Sequence, residues 1–275
     1  VLFVMQHYKL LEQRGIDVQY PAFLAAGLMN EVFVPGRIQV AQAGSLGILR
    51  IIDLKVPTAA VCSFPAQRQA YLVPLDSPLK NGLADLKGQK VLGRPAVCGI
   101  TIGSTNHLGL LIAAKVLGLE EGKDYVIKSL GPADILTMPQ GIDVTAIWEP
   151  NVLLMAEFCK NARILELVDT YEFFNGYSYA RGELEQGAPT LNYPFENNKG
   201  LWIPLEAYQA GVMADAGVLK RRYTEDDFRS VLRPKYLAAT YAKLGWAVPK
   251  SPTFLPANWK GEAGKPPYPP YGLGT

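Results

Sequence analysis

A chain of 275 residues, 49% of them hydrophobic, is long enough for one large or two medium domains with full cores. Its 27 basic residues against 25 acidic ones leave a net charge of +2 with no basic block, which argues against a nucleic-acid partner. No apolar run reaches the roughly 18 residues a membrane-spanning helix needs, and Cys62, Cys98 and Cys159 are too widely spaced for a zinc knuckle or a C-x-x-C redox pair, so no metal is implied.

The chain opens on VLFVMQHYKLLEQRG, whose apolar spacing predicts an amphipathic helix stopped by Gly15. Val1 falls inside that pattern, so a preceding strand and a removed export signal are expected upstream. Residues 16–20 and 37–41 alternate as short strands do, and FLAAGLMNEVFV between them reads as a helix. Ala43-Gly44-Ser45-Leu46-Gly47 then opens a further apolar helix that runs to Ile52. Residues 57–64 and 69–74 read as apolar strands. SPLKNGLADLKGQKV, residues 77–91, reads as a helical turn or two leading into a strand at Lys90-Val91.

The stretch KVLGRPAVCGITIGSTNHLGLLIAAKVLGL, residues 90–119, carries the strongest signal in the chain. Ser104 suits a helix N-cap, because its hydroxyl accepts from free N–H groups two or three residues on, and Gly118 suits the stop. A helix of about three turns is expected from Thr105 to Leu117. Its first turn presents Ser104, Thr105 and His107 beside unpaired backbone donors at the positive end of the macrodipole, which makes a seat for an anion. Capping alone explains the same residues. Further on, residues 124–130 and 143–148 read as strands and 133–138 and 151–159 as helices, with Glu149-Pro150 closing the second strand. Residues 164–168 and 177–180 are the last strand candidates. AYQAGVMADAGVLKRR and FRSVLRPKYLAATYAKLGW are helical patterns, with Lys220, Arg221 and Arg222 on a solvated face. From Pro252 the chain reads as polyproline-like surface coil. Strands and helices alternating in this way imply an α/β fold with parallel sheet covered by helices.

Five pieces, LLEQRGIDVQ, GRIQVAQAG, SPLKNGLADLKGQKV, GSTNHLGLLIAAKVLGL and GIDVTAIWEPNVLLMAE, follow one another in a familiar order over most of residues 1–160. Through them the chain resembles the periplasmic solute-binding proteins of ABC importers for nitrate, alkanesulfonates, taurine and thiamine precursors. The resemblance implies a two-lobed, type II periplasmic-binding-protein fold, each lobe a mixed sheet flanked by helices, joined by two crossing strands. Lobe one would take residues 1–85 and 182–275, and lobe two residues 86–181. It implies a monomer outside the cytoplasm, periplasmic or lipid-anchored, without a cofactor. Such a receptor captures a small organic anion, a sulfonate or carboxylate, in the cleft and delivers it to the membrane permease.

Carried over residue by residue, Gly44 and Ser45 match the turn whose N–H groups point into the family's cleft. Ser104 and Thr105 match the helix start that contacts the anionic head, Trp148 and Glu149 match the W-E-P turn at the cleft wall, and Tyr177 sits where the chain crosses back. RPAVCGITI is longer than the family's link between the Lys90-Val91 strand and the Ser-Thr turn, an insertion that brings Arg94 or Cys98 into consideration. Arg94 offers a guanidinium fork for a carboxylate or sulfonate, or else is an exposed loop arginine, and His107 offers a further donor, or else is a neutral surface imidazole. Aromatic residues such as Trp148 and Tyr177 favour a ligand with an organic body over nitrate or bicarbonate.

Enzymes share this fold, and aromatic sulfinate desulfinases resemble the chain over a comparable length. They need a nucleophilic Cys after the first strand and an Arg before the Gly turn, but Ala41-Gln42-Ala43 holds no Arg. Neither His7 nor His107 adjoins a Cys in sequence, which leaves Cys98 and His107, flanking one loop, as the pair on which a desulfinase-like hydrolase would rest. No P-loop, G-x-G-x-x-G, H-E-x-x-H or G-x-S-x-G occurs. The expectation is a binding protein, with such an enzyme as the alternative.

Overall fold

The computed structural model describes residues 2–61, 69–168, 202–231, 233 and 235–245. In chain order the elements are helices α1 (Leu2–His7), α2 (Ala26–Phe33) and α3 (Ser45–Asp53), strand β1 (Gln69–Pro74), a 3-10 segment Gly82–Gln89, strand β2 (Ala96–Ile100) and helix α4 (Thr105–Leu117). There follow β3 (Tyr125–Ser129), α5 (Pro132–Leu136), β4 (Val144–Trp148), α6 (Asn151–Leu153), which runs into a π-helical turn Leu154–Phe158, and β5 (Ala162–Leu167). Three helices close the described chain: α7 (Trp202–Asp215), α8 (Glu225–Val231) and α9 (Lys235–Leu244).

The apolar runs of the middle of the chain become one sheet of order β3-β2-β4-β1-β5. β2 pairs in parallel with β3 and β4, and β1 pairs antiparallel with β4 and β5. Successive side chains of a strand point to opposite faces, so a sheet covered on both sides needs apolar residues at every position. β1 and β4 meet that demand, each with four consecutive buried residues. Tyr71, Val73, Cys98, Ile100, Val144 and Ala146 join α4 in the larger core. Ala70, Leu72 and Ile147 pack on the opposite face with Ile135, Val152 and Met155.

α4 is apolar almost all the way round because it is buried almost all the way round, and its bounds are those expected. Gly118 stops it in the left-handed conformation at φ +64°, where a Cβ is penalised. Gly109 lets the helix lie close to the sheet: a Cβ there would stand 3.2 Å from Tyr71 Oη and overlap Val168 Cγ1.

Elsewhere the structure corrects the sequence reading. The first helix ends at His7, since Lys9 turns to φ +49°, and a separate 3-10 turn, Glu12–Arg14, reaches Gly15. Residues 16–20 and 37–41 alternate but join no strand among the described residues, and Val40 is 82% exposed. Of residues 57–64 the described part is coil but for an isolated bridge at Ala60, which exchanges hydrogen bonds with the backbone of Val231, the end of α8, and of Arg233. Lys90 and Val91 lie in a turn, and the strand is Ala96–Ile100, so RPAVCGITI is the strand itself and no insertion. The last helical pattern divides into α8 and α9, and residues 220–222 follow α7 in a turn, where Arg221 pairs with Asp227 and Arg222 with Asp215. Gln69–Pro74, read from the sequence as an apolar strand, lies between β4 and β5 in the sheet. The strand expected at residues 177–180 and the coil from Pro252 lie outside the described residues.

Candidate functional site

Because β2 and β4 run in parallel, they finish at one edge of the sheet, at Ile100 and Trp148. β1 runs the other way and begins at that edge, with Gln69 opposite Trp148 in register. The carboxyl ends of parallel strands are where open α/β sheets place their ligands. From Ile100 the chain turns into α4 through Ser104, whose extended backbone and Oγ, accepting from His107 N at 3.3 Å, make the expected N-cap. That bond leaves the N–H groups of Thr105 and Asn106 with no partner inside the helix. Thr105 Oγ1 donates to Gln69 Oε1 at 2.9 Å, and the buried Asn106 donates through Nδ2 to Ala146 O at 2.8 Å, so the helix start is bolted to β1 and β4.

A second helix opens at the same place. α3 begins after Gly44, which is extended and provides no side-chain cap. A Cβ on Gly44 would stand 3.4 Å from Thr105 Cγ2, so the starts of α3 and α4 lie side by side with room for little more than a methyl group between them. Each helix start carries about half a positive elementary charge on unpaired N–H groups. Two such starts side by side gather uncharged donors of the kind that suit an anion.

Gly44, Ser45, Ser104 and Thr105 are thereby brought together, and Trp148 stands beside Gln69, half-buried against the smaller core. His107 belongs to the helix start but is buried rather than at the surface. Its Nδ1 accepts from Gly103 N at 3.3 Å, and burial lowers its pKa below the ordinary 6.5, so the ring is neutral near pH 7. Glu149 turns its Oε2 to Leu153 N at 3.1 Å and caps the start of α6. Arg94 lies at the opposite end of β2, away from the Ser104 turn, because the strand begins after it. There its guanidinium forks onto Asp143 at 2.7 and 2.8 Å, and Asp143 also accepts from Val97 N. Tyr177 lies outside the described residues.

Two residues at this edge were not foreseen, Gln69 and Asn106. The available signal was a polar residue opening a wholly apolar strand in the first case, and a lone amide in an apolar helix in the second. The Cys98 and His107 pairing fails on physical grounds: Cys98 is fully buried in β2 and burial pushes its thiol up to about 12, so it holds no reactive thiolate. Among the described residues no cluster of His, Cys, Asp and Glu has the makings of a metal site. No described helix is long and apolar enough to cross a membrane.

A mixed sheet of this order, covered by helices on both faces and with its helix starts gathered at one edge, defines the periplasmic-binding-protein class of fold. Solved structures share it. The periplasmic nitrate-binding protein NrtA from Synechocystis PCC 6803 superposes with a TM-score of 0.61 at 13% identity, over 86% of this chain and 84% of that one. The alkanesulfonate-binding protein SsuA from Xanthomonas axonopodis pv. citri, solved with MOPS bound, gives 0.54 at 22% identity over 88% and 79%. The periplasmic aliphatic sulphonate binding protein SsuA from Escherichia coli gives 0.52 at 19% identity over 89% and 83%. No family model matches the sequence, and no curated protein matches it. The α/β, periplasmic-binding-protein-like fold expected from the sequence is the fold observed.

Proposed function

We propose that the chain is the extracytoplasmic solute-binding receptor of an ABC importer and that it captures a small organic anion, a sulfonate or carboxylate, at the edge of the sheet where α3 and α4 begin. The observation that carries this is the close approach of the two helix starts at Gly44 and Thr105, which gathers uncharged donors for one anionic head. Fixed, uncharged donors suit the capture and release of an anion. The nitrate- and sulfonate-binding structures that share the fold support the same reading. In this reading the protein is a monomer, and the loaded form docks on a membrane permease.

The test is a thermal-shift screen with nitrate, bicarbonate, butanesulfonate, benzenesulfonate and benzoate, with native mass spectrometry of the purified protein alongside. A ligand that binds only the folded chain raises its melting temperature by mass action. A rise with an organic anion, the compound being recovered unchanged, is expected. Consumption of the compound replaces the receptor with an enzyme, and a response to nitrate alone removes the organic body from the proposal.

A further inference from the structure

We infer that Gln69 is a ligand-binding residue of this site, and that its carboxamide presents Nε2 as a neutral donor to the anion. The inference rests on the receptor reading above and adds to it a residue on a strand rather than on a helix start. Gln69 opens β1, and each of the four residues after it is buried. A glutamine amide has one acceptor end and one end with two N–H donors, and the partner that holds one end decides which end is presented. Here Thr105 Oγ1 donates to Oε1 at 2.9 Å, so the oxygen is held against α4. The Nε2 end is left over, and no acceptor among the described residues takes either of its N–H groups.

The surroundings of that amide are those of the proposed anion. Gln69 stands across from Trp148 in the β1–β4 register, and its hydrogen-bond partner Thr105 is the residue beside Gly44 at the start of α3. Three sets of uncharged donors thus meet at one edge: the starts of α3 and α4 and the Gln69 amide. An oxyanion supplies acceptors to all three at once. The Thr105 bond also sets the sign of the selection. A glutamate in the same place would keep the bond through one oxygen and present the other, an acceptor with negative charge, toward the ligand.

The experiment titrates the intact protein, Gln69→Leu and Gln69→Glu with butanesulfonate, benzenesulfonate, benzoate and nitrate by calorimetry, at about pH 7.5 and about pH 5. A hydrogen bond to a charged group is worth about tenfold to a hundredfold in affinity, so Gln69→Leu is expected to lose that much for each anion the intact protein binds. Gln69→Glu is expected to lose more at the higher pH and to recover part of it at the lower, where a growing fraction of the carboxyl is protonated and regains a donor. Among the described residues the titratable neighbours at this edge are His107 on α4 and Glu149 beyond β4, unchanged in the variant, so the intact protein at both pH values accounts for them. As a measurement that needs no variant, the side-chain amide resonances of Gln69 in the intact protein are followed by NMR, and are expected to shift on saturation with the tightest of the four anions. Variants that bind as the intact protein does, or amide resonances that stay in place, overturn the role of Gln69 and leave the receptor reading standing. If the intact protein binds none of the four, both readings fall.

Discussion

Gly109 offers a sharp test of how closely α4 must lie on the sheet. Replacing it by alanine should favour the helix by about 1 kcal/mol, since glycine is the poorer helix former by that amount. The added methyl group, however, would overlap Val168 Cγ1, with Val168 Cβ at 3.7 Å and Tyr71 Oη at 3.2 Å. Both neighbours are buried, and valine is stiff about its first torsion, so neither yields easily. Overpacking of this kind typically costs about 1–3 kcal/mol. The overlap with Val168 is deep enough to fall in the upper part of that range, about 2–3 kcal/mol, so it should outweigh the propensity gain and leave Gly109→Ala less stable by about 1–2 kcal/mol. Val168→Ala alone should cost about 2 kcal/mol through lost burial and a small cavity. In the double variant the new methyl moves into the space the valine vacated, so the losses should fall short of their sum by about 1 kcal/mol or more. Urea unfolding of the four proteins, followed by both fluorescence and circular dichroism, measures each value. Gly109→Ala as stable as the parent, or two strictly additive changes, would refute the close approach of α4 to β1 and to the end of β5.

The remaining predictions concern capping, burial and titration. Ser104→Ala removes the cap of α4 and should cost about 1 kcal/mol of stability in the same urea assay, together with weaker anion binding, whereas Thr105→Ala should spare the cap. Asp53 is buried and accepts from Lys220 N, Tyr223 Oη and Arg50, so Asp53→Ala should cost about 2–4 kcal/mol by stranding those donors, and Tyr223→Phe about 1 kcal/mol. Burial holds His107 below its ordinary 6.5, so below that pH the unfolded chain takes up a proton that the folded chain resists. Stability should be level above about pH 6.5 and decline beneath it, and His107→Gln should flatten that part of the profile. Asp227 is held at about 2 by the Arg221 fork, with Thr224 adding to it. Its contribution is full above the ordinary carboxylate range and fades between about pH 4 and pH 2, so Asp227→Asn should show a shallower acid limb.

What the sequence disclosed and what it hid divide along a physical line. α4 was legible to the residue because cap, apolar content and glycine stop all sit within a few positions of one another and agree. The strands buried on both faces were legible as apolar runs for the same reason. Residues 16–20 and 37–41 misled because alternation shows only that a strand would be amphipathic, while a strand exists only if a neighbour pairs with it. β2 was placed too early because Pro95 and Gly99, both poor strand formers, obscure it in the sequence, whereas Val91 looks better than its turn allows. The site divides in the same way. Ser104 and Thr105 announced themselves through local capping chemistry. Gln69 and Asn106 act through partners 36 and 40 residues away, and Arg94 is claimed by Asp143 at a separation of 49, none of which a local pattern records.

The Asp53 tie bears on the order in which this molecule can be made. The described strands of the sheet all come from residues 69–167, and α4 with its Thr105–Gln69 bolt lies within that span, so one half of the candidate site comes from a contiguous stretch of chain. The other half does not. α3 leaves the ribosome early, but the carboxylate at its far end closes on Lys220 and Tyr223, 167 and 170 residues later. Contacts of such separation form late, because the loop they close must first be ordered. The far end of α3 therefore gains this tie only after residue 223 has been synthesised, later than every hydrogen bond that joins α4 to the sheet.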